Sequence, residues 1–387
     1  MKRLFRVAIL ANVSRRYDRR IIQGIARYTR QAGNWDLYVE EEPLRRLSAR
    51  SRWDVDGIVA TFDDREKAQA VAGLKVPIVG FGGGHGWYDP QSRIPYFATD
   101  NEAIGRLAAE HLLECGFTRL AFYGHRRTRL YEWSHSRGQA FAERARDAGV
   151  PCHSHLDSRS DSHNWAQLQQ ELAAWLASLE KPVGLMACTD IRARQVLEAC
   201  RTIGARVPDD VAVLGVDNDE MMCEFTTPPL TSIEQGSQRI GCEAAAMLDR
   251  LMAGKRPSAL RYVIPPERLI ARQSTNVLAC DDPDLAVALR FVREHACDPV
   301  HVAQVLEVVR VSRSTLEKKF RAVLGRTVHA EIQRVQVGMA KDLLARTNLL
   351  VKQVARRAGF KYVQYMTEVF RQHVGQSPAE YRKAQRQ

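Results

Sequence analysis

The sequence lacks the features that would place it in a membrane or in an oxidising compartment. No apolar stretch approaches the ~18–20 residues that a membrane-spanning helix needs. The eight cysteines are scattered and form no C-x-x-C pair, which predicts reduced thiols rather than a zinc site or a disulfide framework. Residues 1–11 resemble the start of a signal peptide, but the apolar run is short and no small-x-small cleavage site follows. We therefore expect a cytoplasmic protein with no membrane partner.

The short motifs of common enzyme classes are also missing. The sequence contains no P-loop, no H-E-x-x-H, no G-x-S-x-G and no His/Cys cluster with the spacing of metal ligands. Gly82-Gly83-Gly84 follows a predicted strand but lacks the G-x-G-x-x-G continuation of a phosphate-binding loop. Asp63 and Asp64 could serve as a general acid and base, so an enzyme acting on a sugar stays as an alternative. We predict no catalytic residues, no cofactor and no metal.

Positive charge is in excess and is unevenly distributed. The 387 residues carry 57 Lys+Arg against 45 Asp+Glu, a net charge of +12. Residues 281–387 account for +8 of this, and residues 1–280 for only +4. A basic C-terminal third beside a nearly neutral body indicates an anionic partner, nucleic acid first, or else a solubilising surface.

Apolar, β-branched runs alternate with amphipathic stretches over the first 275 residues. The helical spacing of apolar residues predicts helices at 18–32, 102–115 and 165–179. Strands separated by helices of this length predict βαβ units and a parallel sheet. The predicted strands are 6–12, 36–40, 57–61, 76–80, 96–99, 120–123, 184–188 and 211–216.

Carboxylates and an aromatic residue follow several of these strands. Because open parallel sheets bind ligands at the carboxyl ends of their strands, these side chains form a candidate site. Carboxylates accept hydrogen bonds from vicinal hydroxyls and aromatic faces pack on sugar rings, so the set favours a neutral monosaccharide or polyol. Any single Asp could instead be a turn former or a helix N-cap. The candidates are Arg16, Tyr17, Asp18, Asp63, Asp64, Asp190, Asp217 and Asn218, with Trp165 or Trp133 as a further wall.

Three segments of this body resemble the sugar-sensing core of LacI-type repressors and periplasmic sugar-binding proteins. They are residues 213–218, residues 230–235 and residues 188–193. The resemblance implies two Rossmann-like lobes that are joined by a three-part hinge and close over a sugar. It also implies that Arg137, at the start of a predicted helix over 137–148, contacts that sugar. The N-terminal helix-turn-helix of the LacI family is missing, so any DNA-binding part must lie elsewhere.

The last hundred residues contain an internal repeat at an offset of about 50. Residues 285–383 are predicted to be almost wholly helical, and each copy runs helix, tight turn, helix, glycine. The repeat aligns Leu316 with Met366 and Phe320 with Phe370, which are i,i+4 pairs and therefore predicted core. The second turn is one residue longer, and the repeat pairs Arg310 of the first turn with Gly359 of the second, so the first turn lacks a residue that adopts positive φ easily.

Several polar side chains remain on the exposed faces of the two second helices. Exposed Arg, Gln and hydroxyl groups at a helix N-terminus are suited to reading base edges in the major groove. Residues 355–382 resemble the AraC/XylS-type DNA-binding domain, with the signature residues at the same spacing. The alternative is a helical bundle that serves oligomerisation. The predicted DNA-contacting residues are Arg313, Ser314, Thr315, Lys318, Lys361, Tyr362, Val363, Gln364 and Thr367.

Taken together, residues 5–383 resemble the regulators of xylose operons, which join a LacI-like sensor to an AraC-type reader. The resemblance implies an activator of xylose uptake and catabolism genes whose effector is D-xylose. It further implies operator DNA, RNA polymerase and a second copy of the chain, in a homodimer, as partners. We expect a sensor at 1–275, a linker at 276–284 and a DNA-binding domain at 285–387. A regulator for a different pentose or hexose and a sugar-binding protein without DNA function remain alternatives.

Overall fold

An α/β unit that ends at Thr275 is followed along the chain by a helical unit that begins at Asn276. In this computed structural model, the described residues are 4–32, 34–40, 55–84, 86–89, 91–157, 165–276, 282–298 and 301–384. These two units confirm the predicted fold class, a two-lobed α/β domain followed by an all-helical domain. No helix in the described ranges is both long and apolar enough to span a membrane.

Two six-stranded sheets form the α/β unit, one in each lobe. The strands are β1 (Phe5–Leu10), β2 (Trp35–Glu40), β3 (Gly57–Thr61), β4 (Ile78–Gly82), β5 (Tyr96–Thr99), β6 (Leu120–His125), β7 (Cys152–Asp157), β8 (Val183–Ala187), β9 (Val211–Val216), β10 (Thr231–Glu234), β11 (Arg261–Ile264) and β12 (Arg268–Ile270). The first sheet has the order β11-β5-β4-β3-β1-β2 and is wholly parallel. The second has the order β12-β10-β9-β8-β6-β7, in which only the β10–β12 pair is antiparallel.

Helices cover the sheets, so the central strands are buried on both faces and their sequences are continuous apolar runs. The helices of this unit are α1 (Arg16–Ala32), α2 (Arg65–Val71), α3 (Asn101–Glu114), α4 (Glu132–Asp147), α5 (Trp165–Ser178), α6 (Asp190–Thr202), α7 (Glu220–Phe225) and α8 (Ser237–Met252). Helices α1 and α8 cross closely because each contributes a glycine. A Cβ atom on Gly24 would lie 2.0 Å from the Gln238 carbonyl oxygen, and one on Gly241 would lie 2.0 Å from that of Ile21.

The chain passes between the two lobes three times. It crosses from β5 to α3, from β10 to α8, and from β11 to β12. Three crossings are the three-part hinge that the LacI-type resemblance implied. Because β1, β3, β4, β6, β8 and β9 are parallel within their sheets, the loops after them meet at the cleft between the lobes.

The structure corrects one helix boundary and adds strands. Helix α4 begins at Glu132, so Arg137 lies in its second turn rather than at its start. The extra turn is polar apart from Trp133, and its buried Ser134 hydroxyl accepts a hydrogen bond from the His125 backbone at 3.0 Å. Each of the eight predicted strands overlaps an observed one, whereas β7, β10, β11 and β12 were not predicted.

The helical unit contains two helix-turn-helix copies around separate apolar clusters. Its helices are α9 (Pro283–His295), α10 (Val302–Val309), α11 (Arg313–Leu324), α12 (Val328–Arg346), α13 (Val351–Arg357), α14 (Val363–Val374) and α15 (Pro378–Ala384). Leu316 and Phe320 are fully buried in the first cluster, and Met366 and Phe370 in the second. These four residues are therefore core, as the i,i+4 spacing predicted.

Candidate functional site

A cavity of about 450 Å³ lies in the cleft, at the carboxyl ends of strands from both sheets. Residues of the loop after β1 and Asp63, which follows β3, line the side of the cavity formed by the first sheet. His125, Asp190 and Asp217 lie on the other side, and each follows or ends a strand of the second sheet. Six of the ten predicted ligand-binding residues line this cavity: Arg16, Tyr17, Asp63, Arg137, Asp190 and Asp217.

The guanidinium of Arg137 is the polar centre of the cleft. Arg137 is 2% exposed, and its Nε donates to Asn101 Oδ1 at 2.9 Å. Its Nη2 donates to Gln235 Oε1 at 2.9 Å, and its Nη1 to the Cys188 carbonyl at 2.6 Å. Asn101 and Gln235 each lie in a different crossing between the lobes. Arg137 itself lines the cavity, so these hydrogen bonds connect the cavity to two of the three hinge segments.

Asp63 and Tyr17 form the side contributed by the first sheet. Asp63 Oδ2 accepts from the Gly83 backbone at 2.8 Å, whereas its buried Oδ1 has no hydrogen-bond partner among the described residues. The Tyr17 hydroxyl donates to the Gly82 carbonyl at 3.0 Å and accepts from the Thr99 hydroxyl at 3.0 Å. Burial raises the pKa of the Asp63 carboxyl. Asp63 thus retains an unsatisfied acceptor, while Tyr17 presents mainly its ring.

Asp190 and Asp217 differ in how many acceptors they leave for a ligand. Asp190 Oδ1 accepts from the Ser232 hydroxyl at 2.6 Å, and Oδ2 accepts from the Asp219 backbone at 2.7 Å. Asp217 Oδ1 accepts from the side-chain amide of Gln235, and Asp217 Oδ2 has no hydrogen-bond partner among the described residues. Burial raises the pKa of Asp217 to about 6, and the nearby positive charge of Arg137 opposes that rise. Asp190 is therefore an anchor of the strand ends, and Asp217 has an oxygen to spare.

An aromatic wall closes the side formed by the second sheet. The His125 ring stacks on Tyr131 with centroids 4.0 Å apart and meets Trp133 edge-on at 5.7 Å. The Arg137 guanidinium lies over the Trp133 ring, 4.7 Å from its centroid. Burial lowers the pKa of His125 to about 3, helped by the Arg192 guanidinium, which donates to His125 Nδ1 at 3.1 Å. The wall is consequently apolar and uncharged at neutral pH.

The remaining four candidates do not line the cavity. Asp18 is buried and accepts from the Asn12 backbone at 2.6 Å, and Asp64 is the N-cap of α2. Trp165 is 48% exposed at the start of α5. Asn218 is buried behind the site and accepts from Arg272 Nη2 at 2.8 Å. Of the two loop tryptophans, the structure thus brings Trp133 to the cavity.

Three residues that line the cavity, His125, Tyr131 and Gln235, were not predicted from the sequence. His125 ends β6 and Tyr131 lies in the β6–α4 connection, and no carboxylate marks the end of this strand. Gln235 follows β10, a strand whose polar sequence gave no strand signal. The nearest available signal was the density of aromatic residues over 131–133, directly after a predicted strand.

Ion pairs bridge the mouth of the cleft. Arg19 on α1 contacts Asp219 at 3.3 Å, and Arg16 contacts Glu220 at 3.7 Å. Helix α1 packs on the first sheet, and the acidic residues follow β9 of the second. These pairs therefore join the two lobes in the conformation seen here.

The helical unit presents two recognition helices, α11 and α14. The Ser312 hydroxyl caps α11 by accepting from the Thr315 backbone at 3.1 Å. Arg310 takes the left-handed conformation with φ of 54°, where the second copy has Gly359 with φ of 82°. Seven predicted DNA-contacting residues are exposed: Arg313, Ser314, Thr315, Lys318, Lys361, Tyr362 and Gln364.

Two predicted DNA-contacting residues are only half exposed. Val363 packs against the second core cluster, and the Thr367 hydroxyl donates to the Val363 carbonyl at 2.9 Å. A shallow groove of about 550 Å³ nevertheless includes both, together with Gln364, Glu368, Arg371 and Gln372. Glu368 was not among the predicted residues.

Comparison with known proteins covers both units. Residues 6–102 match the XylR N-terminal domain, residues 109–275 a periplasmic binding protein-like domain, and residues 305–384 a helix-turn-helix domain. The chain is 34% identical to the xylose operon regulatory protein of Escherichia coli K12, over 97% of this chain and 96% of that protein. It is 34% identical to the same protein of Haemophilus influenzae, over 98% of each chain.

Solved structures agree with these matches. The structure of the xylose-binding transcription activator xylR matches with a TM-score of 0.67 and 34% identity, and the match covers 99% of each chain. The complex of the transcriptional regulator CelR with cellobiose matches over 70% of this chain and 85% of that one, with a TM-score of 0.57 and 23% identity. The second likeness shows the fold of the α/β unit only.

Fold and site together define a transcription regulator, in which a periplasmic-binding-protein-like sensor precedes an AraC-type helix-turn-helix domain. Such a protein is a regulator and not an enzyme. More specifically, the chain belongs to the family of xylose operon regulatory proteins.

Proposed function

We propose that D-xylose binds in the cleft and that the bound form activates genes for xylose uptake and catabolism. The observation that carries the ligand class is the pairing of spare acceptors with an aromatic wall. Asp63 and Asp217 each keep a carboxylate oxygen unsatisfied by described residues, and Trp133 lines the same cavity. Hydroxyls that donate to carboxylates, on a ring whose C–H face packs on an indole, describe a neutral sugar.

Each cavity residue has a proposed role in holding the sugar. Asp63 and Asp217 accept hydrogen bonds from hydroxyls, and Arg137 donates from the N–H groups left over by its three protein bonds. Trp133 and Tyr17 pack on the ring. Asp190 positions β9 and the loop after it, since both its oxygens are already engaged. Arg16 adds a buried Nε that has no partner among the described residues.

Sugar binding is proposed to act on DNA affinity through closure of the lobes. The ion pairs Arg19–Asp219 and Arg16–Glu220 would stabilise the closed cleft. The two recognition helices of one chain read operator DNA in successive major grooves, and exposed Lys and Arg contact phosphates. We further propose that the regulator works in the cytoplasm as a homodimer and presents itself to RNA polymerase. The proposed division is a sensor at 1–275, a linker at 276–284 and a reader at 285–387.

Calorimetric titration of the full chain tests the ligand. D-xylose should give saturable heat, whereas L-arabinose, D-ribose and D-glucose at equal concentration should give little. Asp63→Asn should weaken xylose binding by about tenfold or more, because one acceptor becomes a donor. The matched variant Asp64→Asn changes a neighbour outside the cavity and should leave the affinity within about twofold. Heat with another sugar alone would replace xylose as the effector, and no heat with any sugar would refute the sensor role.

Linkage gives an independent test of regulation. If xylose tightens DNA binding, then the same DNA must tighten xylose binding by the same factor. Equal xylose affinity with and without bound operator duplex would contradict the allosteric part of the proposal while leaving sugar binding intact.

A further inference from the structure

The two recognition helices carry opposite charges at equivalent positions. Helices α11 and α14 are both 12 residues long and both end at a glycine with positive φ. Lys318 is the sixth residue of α11, and Glu368 is the sixth residue of α14. The internal repeat of the sequence gives the same pairing, because an offset of 50 aligns Leu316 with Met366 and Phe320 with Phe370.

Both side chains are available to a partner. Lys318 and Glu368 are exposed, and each lies on the face away from the buried core pair of its helix. Among the described residues, Glu368 forms no ion pair, and it borders the surface groove that contains Gln364 and Arg371. In the first copy the neighbouring Lys319 is held by Asp282 and Asp284 at 2.7 Å, which leaves Lys318 as the outward lysine.

An exposed carboxylate on a DNA-facing helix has a cost that a base contact can offset. Phosphates repel it, and it adds nothing to the electrostatic part of binding. In the major groove, however, a carboxylate accepts a hydrogen bond from the N4 amino group of cytosine. A lysine at the same place donates to O6 and N7 of guanine. The same position in the two copies is therefore matched to base pairs of opposite sense.

We propose that Lys318 and Glu368 are specificity-determining residues that make the two copies read different subsites. On the strand that each recognition helix faces, Lys318 selects guanine and Glu368 selects cytosine at the equivalent step. The inference rests on the proposed function, namely that the helical unit reads DNA sequence. It adds the chemistry that distinguishes one subsite from the other.

Selection from a pool of randomised DNA duplexes tests this with the full chain and xylose. The wild type should enrich a site with two subsites, with G·C at the Lys318 step and C·G at the equivalent Glu368 step. Glu368→Lys should change the second step to G·C, with about a tenfold preference over the original pair in direct binding assays. Lys318→Glu should make the reciprocal change in the first subsite.

Glu307→Lys is the matched control, since it makes the same charge change at an exposed position on α10 rather than on a recognition helix. It should raise affinity for all duplexes alike and leave the enriched sequence unchanged. If the wild type enriches a motif that Glu368→Lys leaves unaltered, the assignment of Glu368 is wrong while the DNA-reading function stands. If the wild type enriches no motif at all, sequence-specific reading itself fails, and this inference with it.

Discussion

At the scale of single residues, Trp133 links the polar centre of the cleft to its aromatic wall. Its ring packs under the Arg137 guanidinium and against His125, so it orients both. We predict that Trp133→Ala weakens D-xylose binding by at least about tenfold, since it removes a ring-packing surface and a cation–π contact. Calorimetric titration measures the change. Trp165→Ala, which truncates an exposed tryptophan outside the cavity, should leave the affinity unaltered.

His125 gives the sensor a pH dependence whose sign follows from burial. Because the pKa of His125 is lowered to about 3, the unfolded chain takes up this proton near pH 6.5 and the folded chain only near pH 3. The stability that neutral His125 contributes is present above pH 6.5 and is lost as the pH falls through that window, at up to about 1.4 kcal/mol per pH unit.

We therefore predict that His125→Gln flattens this part of the pH profile. The glutamine oxygen can still accept from Arg192, but the side chain does not titrate. Denaturant unfolding between pH 4 and 6.5 should show a smaller fall in the free energy of unfolding for the variant than for the wild type. Parallel profiles would show that His125 is protonated in the folded state.

At the scale of elements, the turns of the two helix-turn-helix copies both contain a residue with positive φ, which is Arg310 in the first copy and Gly359 in the second. Two features require glycine at position 359. Its φ is 82°, and a Cβ atom there would lie 2.4 Å from the Ala296 carbonyl oxygen. We predict that Gly359→Ala destabilises the helical unit by more than about 2 kcal/mol. Arg310→Gly should stabilise it by about 0.5–1 kcal/mol, because it relieves a left-handed non-glycine residue.

Gly325→Ala separates the two costs at Gly359. Gly325 has φ of 64°, but no atom of the described residues lies within 4 Å of an added Cβ, so the substitution should cost only about 1 kcal/mol. Hydrogen exchange of peptides from residues 302–374 in the full chain measures the change in stability of the helical unit in Gly359→Ala, Arg310→Gly and Gly325→Ala. Equal losses for Gly359→Ala and Gly325→Ala would show that the contact with Ala296 is relaxed in solution.

The elements that could be predicted from the sequence are those whose burial follows a simple pattern. Central strands such as β3 and β9 are apolar on both faces and therefore stand out. β10 is equally buried, but its sequence is polar, because the Ser232 hydroxyl donates to Asp190 and the Thr231 hydroxyl shares a hydrogen bond with that of Thr275. β7 and β11 lie at sheet edges, where half of their residues are exposed, and neither sequence alternates between polar and apolar residues.

The candidate site shows the same division. Carboxylates at strand ends predicted the position of the cleft, and Asp63 and Asp217 line it. Which carboxylates are free for a ligand was not predictable, because that depends on distant donors such as Ser232 and the Asp219 backbone. Ring stacking of His125 on Tyr131 likewise depends on the path of the β6–α4 connection.

At the scale of the whole molecule, one side chain connects the cleft to the segment that leads out of the sensor. Arg272 donates through Nη2 to Asn218, the neighbour of Asp217, and through Nη1 to the Leu230 carbonyl at 2.8 Å. Three residues later the α/β unit ends at Thr275. Asp217 and Asn218 both have positive φ, so their loop is held in a conformation that costs energy unless its contacts are kept.

We predict that Arg272→Gln uncouples sugar binding from DNA binding without abolishing either. Xylose affinity should stay within about threefold, whereas the gain in DNA affinity caused by xylose should fall from the usual 5–150-fold range of coupling to below about threefold. Fluorescence anisotropy on a duplex selected by the wild type, with and without xylose, measures the ratio. Arg261→Gln, at an exposed position on β11, is the control, and an unchanged ratio in Arg272→Gln would exclude this connection.

The order of the two unlike helix-turn-helix copies along one chain has a consequence for orientation. A pair of identical readers related by symmetry binds a palindrome, and a palindrome looks the same from either end. Here the copies are covalently ordered and differ in their turns, Arg310 against Gly359, and in the outward charge of their recognition helices. One chain therefore has a front and a back on its DNA, so a single chain distinguishes the upstream side of its site from the downstream side.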